Sequence, residues 1–420
     1  MSRARPLAGR VDAVMNALRV RNYRLFITGQ AISLTGTWMQ FVAQDWLVLG
    51  LSGDSGTALG TVTALQFAPV ALFTMMGGKL ADSYDKRRLL IIVNSAWATV
   101  AAVLSVLALT GTIRLWHIYV LAAALGTVKA LESPARQSFA SELVGPTLMP
   151  TALALNASSL NLARIIGPAI GGLLIAWLGT GAVFAVTVIT FLGPLAGLLL
   201  MRPGDLNRLP HADGDSRIRE GLRYLLGRRD LLVVLALLAV VGMAALQLQL
   251  VLALMSKTVF QRDASSFGLF GTALGAGALV GALLSTGRTS RPTLGAVAAA
   301  AATLGALELA LGMASAFWLA LVILVPLGAT MMIFVQGANQ RIQMGADAAY
   351  RGRVMALYLL VLVGANPISA PLLGALAERH GGRAPLFVGG SVALTTGVAT
   401  VLAARWRAGR ATAAADLKTG

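Results

Sequence analysis

Residues 77–88 read Gly77-Gly78-Lys79-Leu80-Ala81-Asp82-Ser83-Tyr84-Asp85-Lys86-Arg87-Arg88 and lie between two long apolar runs. Four basic side chains and two carboxylates share this one turn. A connection that short makes the flanking runs neighbouring antiparallel membrane helices, so its charges lie at the membrane surface. Two readings follow. Asp82 can accept hydrogen bonds from the free N–H groups at the start of another helix, where the dipole favours an anion. Alternatively the turn only fixes orientation through its basic residues.

The whole chain has the composition that this reading needs. Of 420 residues, 57% are hydrophobic and 12% charged, about half the charged share of a soluble domain. The net charge of +17 comes from basic residues set between apolar runs and not from a basic domain, so no nucleic-acid partner is expected. The absence of cysteine removes disulfides, thiolate metal sites and a Cys nucleophile. The amino terminus does not resemble a cleaved signal; Val11, Val14, Met15 and Leu18 instead repeat at helical spacing, as in a surface-lying amphipathic helix.

A span needs roughly 20 apolar residues. Twelve are expected, near 24–49, 57–79, 89–110, 116–138, 151–178, 181–201, 231–255, 266–287, 293–314, 316–338, 353–377 and 385–404. The fold class expected is therefore an all-α integral membrane protein with twelve transmembrane helices in two six-helix bundles. Its expected divisions are an amphipathic segment 1–22, a bundle 23–201, a linker 202–230, a bundle 231–406 and a tail 407–420. Within the linker, Ile218, Leu222 and Leu225 recur among arginines, which suits a helix lying in the headgroups. With both termini cytoplasmic, the inner segments hold about 27 Lys and Arg and the outer loops about 5.

The two halves would be weakly similar if built as repeats. Opposite the first turn stands Gly287-Arg288-Thr289-Ser290-Arg291-Pro292, a tight basic turn without the Asp. Span five contains Gly167-Pro168-Ala169-Ile170-Gly171-Gly172, where small residues permit close helix approach and Pro168 permits a bend. Span eight offers Gly271, Gly275, Gly277 and Gly281 as a partner surface.

Gly78-x-Leu80-Ala81-Asp82-x-x-x-Lys86-Arg87 resembles the cytoplasmic signature between helices two and three of the major facilitator superfamily, with Ser83 where Arg is usual. Asp85 before Lys86-Arg87-Arg88 is similar to the drug- and siderophore-exporter branch. So is Glu132-Ser-Pro-Ala-Arg136-Gln at the inner end of span four, while Gly167, Pro168, Gly171 and Gly172 resemble the superfamily's fifth-helix exporter motif, with Ala163 in place of an earlier Gly. The resemblance implies the major facilitator fold, with Gly78, Asp82, Lys86, Arg87, Arg88 and Arg136 as a gating switch between halves. It implies a small-molecule substrate exported from the cell, with protons as coupling ion and no cofactor. It also implies a monomer in the plasma membrane, the inner membrane of a bacterium. Uptake or facilitated diffusion by the same fold is the alternative.

Polar residues inside spans are the candidates for substrate contact. Gln30, Ser33, Thr37, Gln40 and Gln44 form one stripe along span one, facing either a wet cavity or other helices. Gln336, Asn339, Gln340 and Gln343 form a second stripe in span ten, and Gln247 and Gln249 stand two apart in span seven. Arg164 lies roughly 20 Å into span five and shares a face with Asn161, Pro168 and Gly171. Lys129, Glu132 and Arg136 share a face in span four, either as an internal salt bridge or as part of a gate. A proton-driven antiporter needs an intramembrane carboxyl, and the candidates are Glu132, Asp45 and then Glu308.

Other functions lack their motifs. The chain has no Gly-x-x-x-x-Gly-Lys-Ser/Thr phosphate loop and no His-Glu-x-x-His, and His117, His211 and His380 fall near span ends or loops. An enzyme is not expected, and a non-transporting receptor would have no use for the stripe in span one.

Overall fold

The structure is a computed structural model that describes residues 5–205, 218–285 and 290–419; the side chains of 5–11, 75, 77–82, 146, 218–219 and 407–419 are outside that description. The described residues are helical, without strands. In chain order the helices are α1 Arg5–Arg19, α2 Arg21–Leu51, α3 Gly56–Ser83, α4 Lys86–Leu109, α5 Leu115–Leu200, α6 Ile218–Gly227, α7 Arg229–Ala245 and α8 Leu248–Leu254. They continue as α9 Ala264–Ser285, α10 Leu294–Met313, α11 Phe317–Gly345, α12 Arg351–Gly364, α13 Asn366–His380 and α14 Ala384–Thr419. Nine helical stretches among the described residues are long and apolar enough to cross a membrane.

At 86 residues α5 is several times too long for one crossing. It turns at Gly145 (φ 70°, ψ 174°) and Gly179 (φ 79°, ψ 172°), a backbone region that is essentially restricted to glycine. Three limbs result, and the turns fall where the sequence separates spans four, five and six. Polar side chains start several helices. Asp85 accepts from the Arg88 backbone N–H at 2.9 Å and Thr293 from Ala296 at 3.1 Å. Just before α9, Asp263 accepts from the Ser265 hydroxyl (2.7 Å), the Ser266 backbone N–H (3.1 Å) and the Ser266 hydroxyl. These bonds, that from the Ser265 hydroxyl foremost, hold its carboxyl below the usual carboxylate range.

Two compact units emerge. The first comprises Met1–Gly53, Leu65–Asp213 and Arg262–Thr272; the second comprises Asp54–Ala64, Gly214–Gln261 and Ala273–Gly420. In the first, Tyr23, Phe26, Leu90, Val93, Phe139 and Leu143 form a core near the α4 start, with Phe26 and Phe139 edge to face at 5.6 Å. A reciprocal pair joins the start of α2 to the end of α5: Asn22 Nδ2 donates to the Arg202 carbonyl (2.9 Å), and the Arg202 N–H donates to Asn22 Oδ1 (3.1 Å). In the second unit, α10 and α14 meet along a seam of small residues. A Cβ on Gly390 would sit 2.8 Å from the Gly305 carbonyl, so the backbones themselves are in contact. Here α6 is tied to α12 by Glu220–Arg353 at 3.2 Å. Leu225 is buried while Leu222 and Leu226 are exposed, so the apolar face of α6 is divided between protein and surroundings.

Candidate functional site

The Gly-Pro motif of span five lies in the second limb of α5, between two other helices of the first unit. Gly167 and Gly171 face α2: added Cβ atoms would meet Trp38 Cβ at 2.5 Å and Met39 Cα at 3.1 Å. Gly172 faces α9, where a Cβ would lie 2.6 Å from the Ala264 carbonyl oxygen and 3.0 Å from Gly268 Cα. Pro168 packs on Gly271, and Thr272 Oγ1 donates to the Ile165 carbonyl at 3.1 Å. The expected α9 surface is only partly used this way. Gly277 and Gly281 lie against Val325 and Ala329 of α11, because they sit on a different face from Gly268 and Gly271.

The switch residues divide. Gly78 and Asp82 lie outside the described side chains, as do Gly287 and Arg288 of the opposite turn. Lys86 Nζ is 2.5 Å from Glu142 Oε1, with the two side chains 13% and 8% exposed. Arg87 donates from Nε to the Leu198 carbonyl (2.6 Å) and from Nη2 to that of Leu199 (3.2 Å). It thereby caps the last carbonyls of α5, where a cation is favoured. Arg88 is exposed. Glu132 and Arg136 pair with each other at 3.2 Å, and Arg136 reaches Asn156 at 3.5 Å. Among the described residues the charged turn therefore meets the first limb of α5 through Glu142 and not through Glu132.

The second unit has a counterpart that sequence reading missed. The basic turn there lacks an acid of its own, yet Asp230 at the start of α7 supplies one. Asp230 lies 2.8 Å from Arg291 and 3.3 Å from Arg228, while Arg228 also reaches Asp347 at 3.6 Å. Arg341 donates to the Pro292 carbonyl at 2.7 Å, and the Tyr224 hydroxyl accepts from Arg228 at 3.0 Å. The run Arg228-Arg229-Asp230 was the available signal, but its basic residues suited orientation equally well.

The stripe in α2 is turned into protein. Gln30, Ser33, Gln40 and Gln44 are buried, and Thr37 is half-buried. Gln40 Oε1 accepts from Trp97 Nε1 at 3.1 Å, and Thr37 bonds the Ser33 carbonyl at 2.9 Å. Of the two readings of this stripe, its burial favours helix–helix contact, because α4 and α5 pack over it. The Gln44 amide is buried with no partner among the described residues. Trp97→Phe is expected to strand Gln40 Oε1 and cost about 1–3 kcal/mol, seen as a lower thermal midpoint in nanodiscs. Trp97 also stacks on Phe191 at 5.4 Å, a contact that Phe preserves.

Gln247, at the break between α7 and α8, donates to Asn366 Oδ1 (2.6 Å) and Ser369 Oγ (3.0 Å), so its amide is committed to α13. Gln336 and Asn339 are half-buried on α11, where the Tyr358 hydroxyl donates to the Val335 carbonyl at 3.1 Å. Asn161 bonds its own helix at Ala157. Lys129 Nζ sits over the rings of Phe41 (5.4 Å) and Phe67 (4.8 Å), and Arg164 over Trp38 (5.3 Å). Of the carboxyl candidates, Asp45 is buried on α2 and Glu132 is paired. Glu308 is 1% exposed with both oxygens unpartnered among the described residues, on the α10–α14 seam beside Gly389.

The sequence profile of the transmembrane secretion effector family matches residues 13–419. The chain is 31% identical over 154 residues to the staphyloferrin A transporter of Staphylococcus aureus, covering 36% of this chain and 38% of that one. It is 26% identical to an MFS-type transporter of Bacillus subtilis over 53% of each. Matches to these two relatives thus span about half their length or less. The multidrug efflux pump Tap of Mycobacterium tuberculosis matches at 26% identity over 85% of this chain and 87% of its own. A bacterial homologue of the iron transporter ferroportin shares the fold (TM-score 0.70, 14% identity, 92% of this chain and 99% of that one). So does the POT family transporter PepTSo (TM-score 0.71, 13% identity, 92% and 98%). A charged turn between two spans, a Gly-Pro seam and an all-helical fold with apolar spans thus meet a profile covering nearly the whole chain: the protein belongs to the transmembrane secretion effector family of the major facilitator superfamily, and its relatives are named as membrane transporters, among them a multidrug efflux pump and a siderophore transporter, and not as enzymes.

Proposed function

We propose that the chain is a secondary active exporter of an amphipathic small molecule, working by alternating access and driven by proton antiport. The observation that carries this reading is the pair of intramembrane cations, Lys129 and Arg164, which rest on half-buried aromatic rings instead of on carboxylates. Charge held this way inside a span marks a site open to a ligand. The name of one relative, a multidrug efflux pump, supports outward transport, and that of another, a staphyloferrin A transporter, supports a small-molecule substrate.

Twelve crossings follow if α2, the first limb of α5 and the division at Gly179 are added to the nine apolar stretches. They group as bundles 23–201 and 231–406 with both termini cytoplasmic, in the inner membrane of a bacterium, as a monomer. Asp82 is the acid of the first switch, four residues before the Lys86 anchor in sequence. Asp82→Asn is expected to impair efflux while leaving membrane insertion unchanged; undiminished efflux would reduce the turn to an orientation signal.

The function is tested in an efflux-deficient bacterial strain. Expression should lower steady-state accumulation of a fluorescent amphipathic dye, and a protonophore should abolish the difference. Reduced accumulation that survives collapse of the proton gradient would contradict antiport, and an unchanged dye level across a panel of anionic and neutral dyes would contradict export. A facilitated carrier would equilibrate the dye without moving it against its gradient.

A further inference from the structure

Lys129 and Arg164 belong to different limbs of α5, yet a continuous line of contacts joins them within the first unit. Lys129 Nζ lies 5.4 Å from the Phe41 ring, Phe41 meets Trp38 edge to face at 5.9 Å, and Arg164 Cζ lies 5.3 Å from Trp38. Phe67 closes the other side of Lys129 at 4.8 Å. Both cations and all three rings are half-buried, so none is wholly enclosed by protein.

The charges do not balance. Glu132 stands one turn from Lys129 but is engaged by Arg136 at 3.2 Å. Among the described residues no carboxylate lies within ion-pairing distance of Lys129 or Arg164, and Arg164 Nε is buried without a hydrogen-bond partner. Among the described residues, Lys129 and Arg164 thus carry charge without a paired carboxylate. A ring face offsets the desolvation of a cation only in part, whereas a carboxylate or phosphate offers both opposite charge and paired acceptors for a guanidinium fork. The rings in turn supply apolar surface between the two charges.

We propose that Lys129, Trp38, Phe41, Phe67 and Arg164 form the recognition site for an amphipathic anion that carries two acidic groups separated by a flat apolar body. This assigns a substrate class to the exporter and rests on the transport reading above. The same array disfavours organic cations, since a cationic ligand would enter a field already positive.

The test uses the full chain in nanodiscs, with carboxyfluorescein as an aromatic polyanion and ethidium as an aromatic cation, followed by fluorescence anisotropy. Carboxyfluorescein should bind, more weakly at high salt, and ethidium should neither bind comparably nor displace it. Lys129→Gln and Arg164→Gln should each weaken the anion by about tenfold or more, while Lys129→Arg, which keeps the charge, stays within about threefold of wild type and Arg164→Lys, which keeps the charge but loses the fork, falls between wild type and Arg164→Gln. The proposal is overturned if carboxyfluorescein fails to bind, if ethidium binds more tightly, or if either Gln variant keeps wild-type affinity. Anion binding with the expected mutant pattern but no flux in proteoliposomes would sink the transport reading and leave the site standing. Export of ethidium that is indifferent to Arg164→Gln would do the reverse.

Discussion

Gly172→Leu is expected to reduce transport by at least about tenfold. The reason is geometric. A Cβ at 172 would already lie 2.6 Å from the Ala264 carbonyl oxygen and 3.0 Å from Gly268 Cα. Both are backbone atoms, so no side chain can swing aside and α5 and α9 must separate. Overpacking of this kind costs about 1–3 kcal/mol, and 1.4 kcal/mol is enough to shift a conformational equilibrium tenfold. Gly193→Ala is the internal control, since its Cβ would find its nearest neighbour at 3.7 Å, an ordinary contact. Flux per molecule of inserted protein separates the two variants: Gly193→Ala should stay near wild type. Equal activity of both would show that the close α5–α9 seam has no part in transport.

Lys86→Ala should destabilise the protein by about 3 kcal/mol. Lys86 and Glu142 are 13% and 8% exposed and 2.5 Å apart, which places them among buried pairs. A surface pair would contribute about 0–1 kcal/mol; removing one partner of a buried pair leaves an uncompensated charge and costs more. The cost is set at the low end of the buried range because Lys86 keeps some contact with its surroundings. The double variant Lys86→Met with Glu142→Leu removes both charges and should recover most of the loss. Thermal unfolding in nanodiscs reads this directly. A double variant as unstable as Lys86→Ala would mean that packing, and not charge, dominates at this position.

How much could be read from the chain depended on whether a feature was local. The apolar runs and the turns at Gly145 and Gly179 are properties of consecutive residues, so their places were legible from composition and small-residue signals. The spacing within Gly167–Gly172 likewise sets which glycines share a helix face. What could not be read was which distant residue completes each polar group. The second basic turn looked acid-free, yet Asp230 reaches it from the start of α7. Gln40 and Gln247 looked available to a ligand, but Trp97 and Asn366 engage them. Helical periodicity gives the direction of a side chain and not the identity of its neighbour, so a stripe facing water and one facing helices look alike. Lys129 is the converse case. In sequence it reads as one end of an i, i+3 pair with Glu132, while in space it sits on two rings drawn from α2 and α3.

If the chain is a proton antiporter, a proton gradient alone, without nucleotide, drives a small molecule outward through it. Purified protein in proteoliposomes, with an imposed pH gradient and no ATP, tests it most directly. The prediction is accumulation of the dye against its own concentration gradient, accompanied by proton movement in the opposite direction, both abolished when the pH gradient is dissipated. Dye that only equilibrates, at a rate indifferent to the pH gradient, would contradict it.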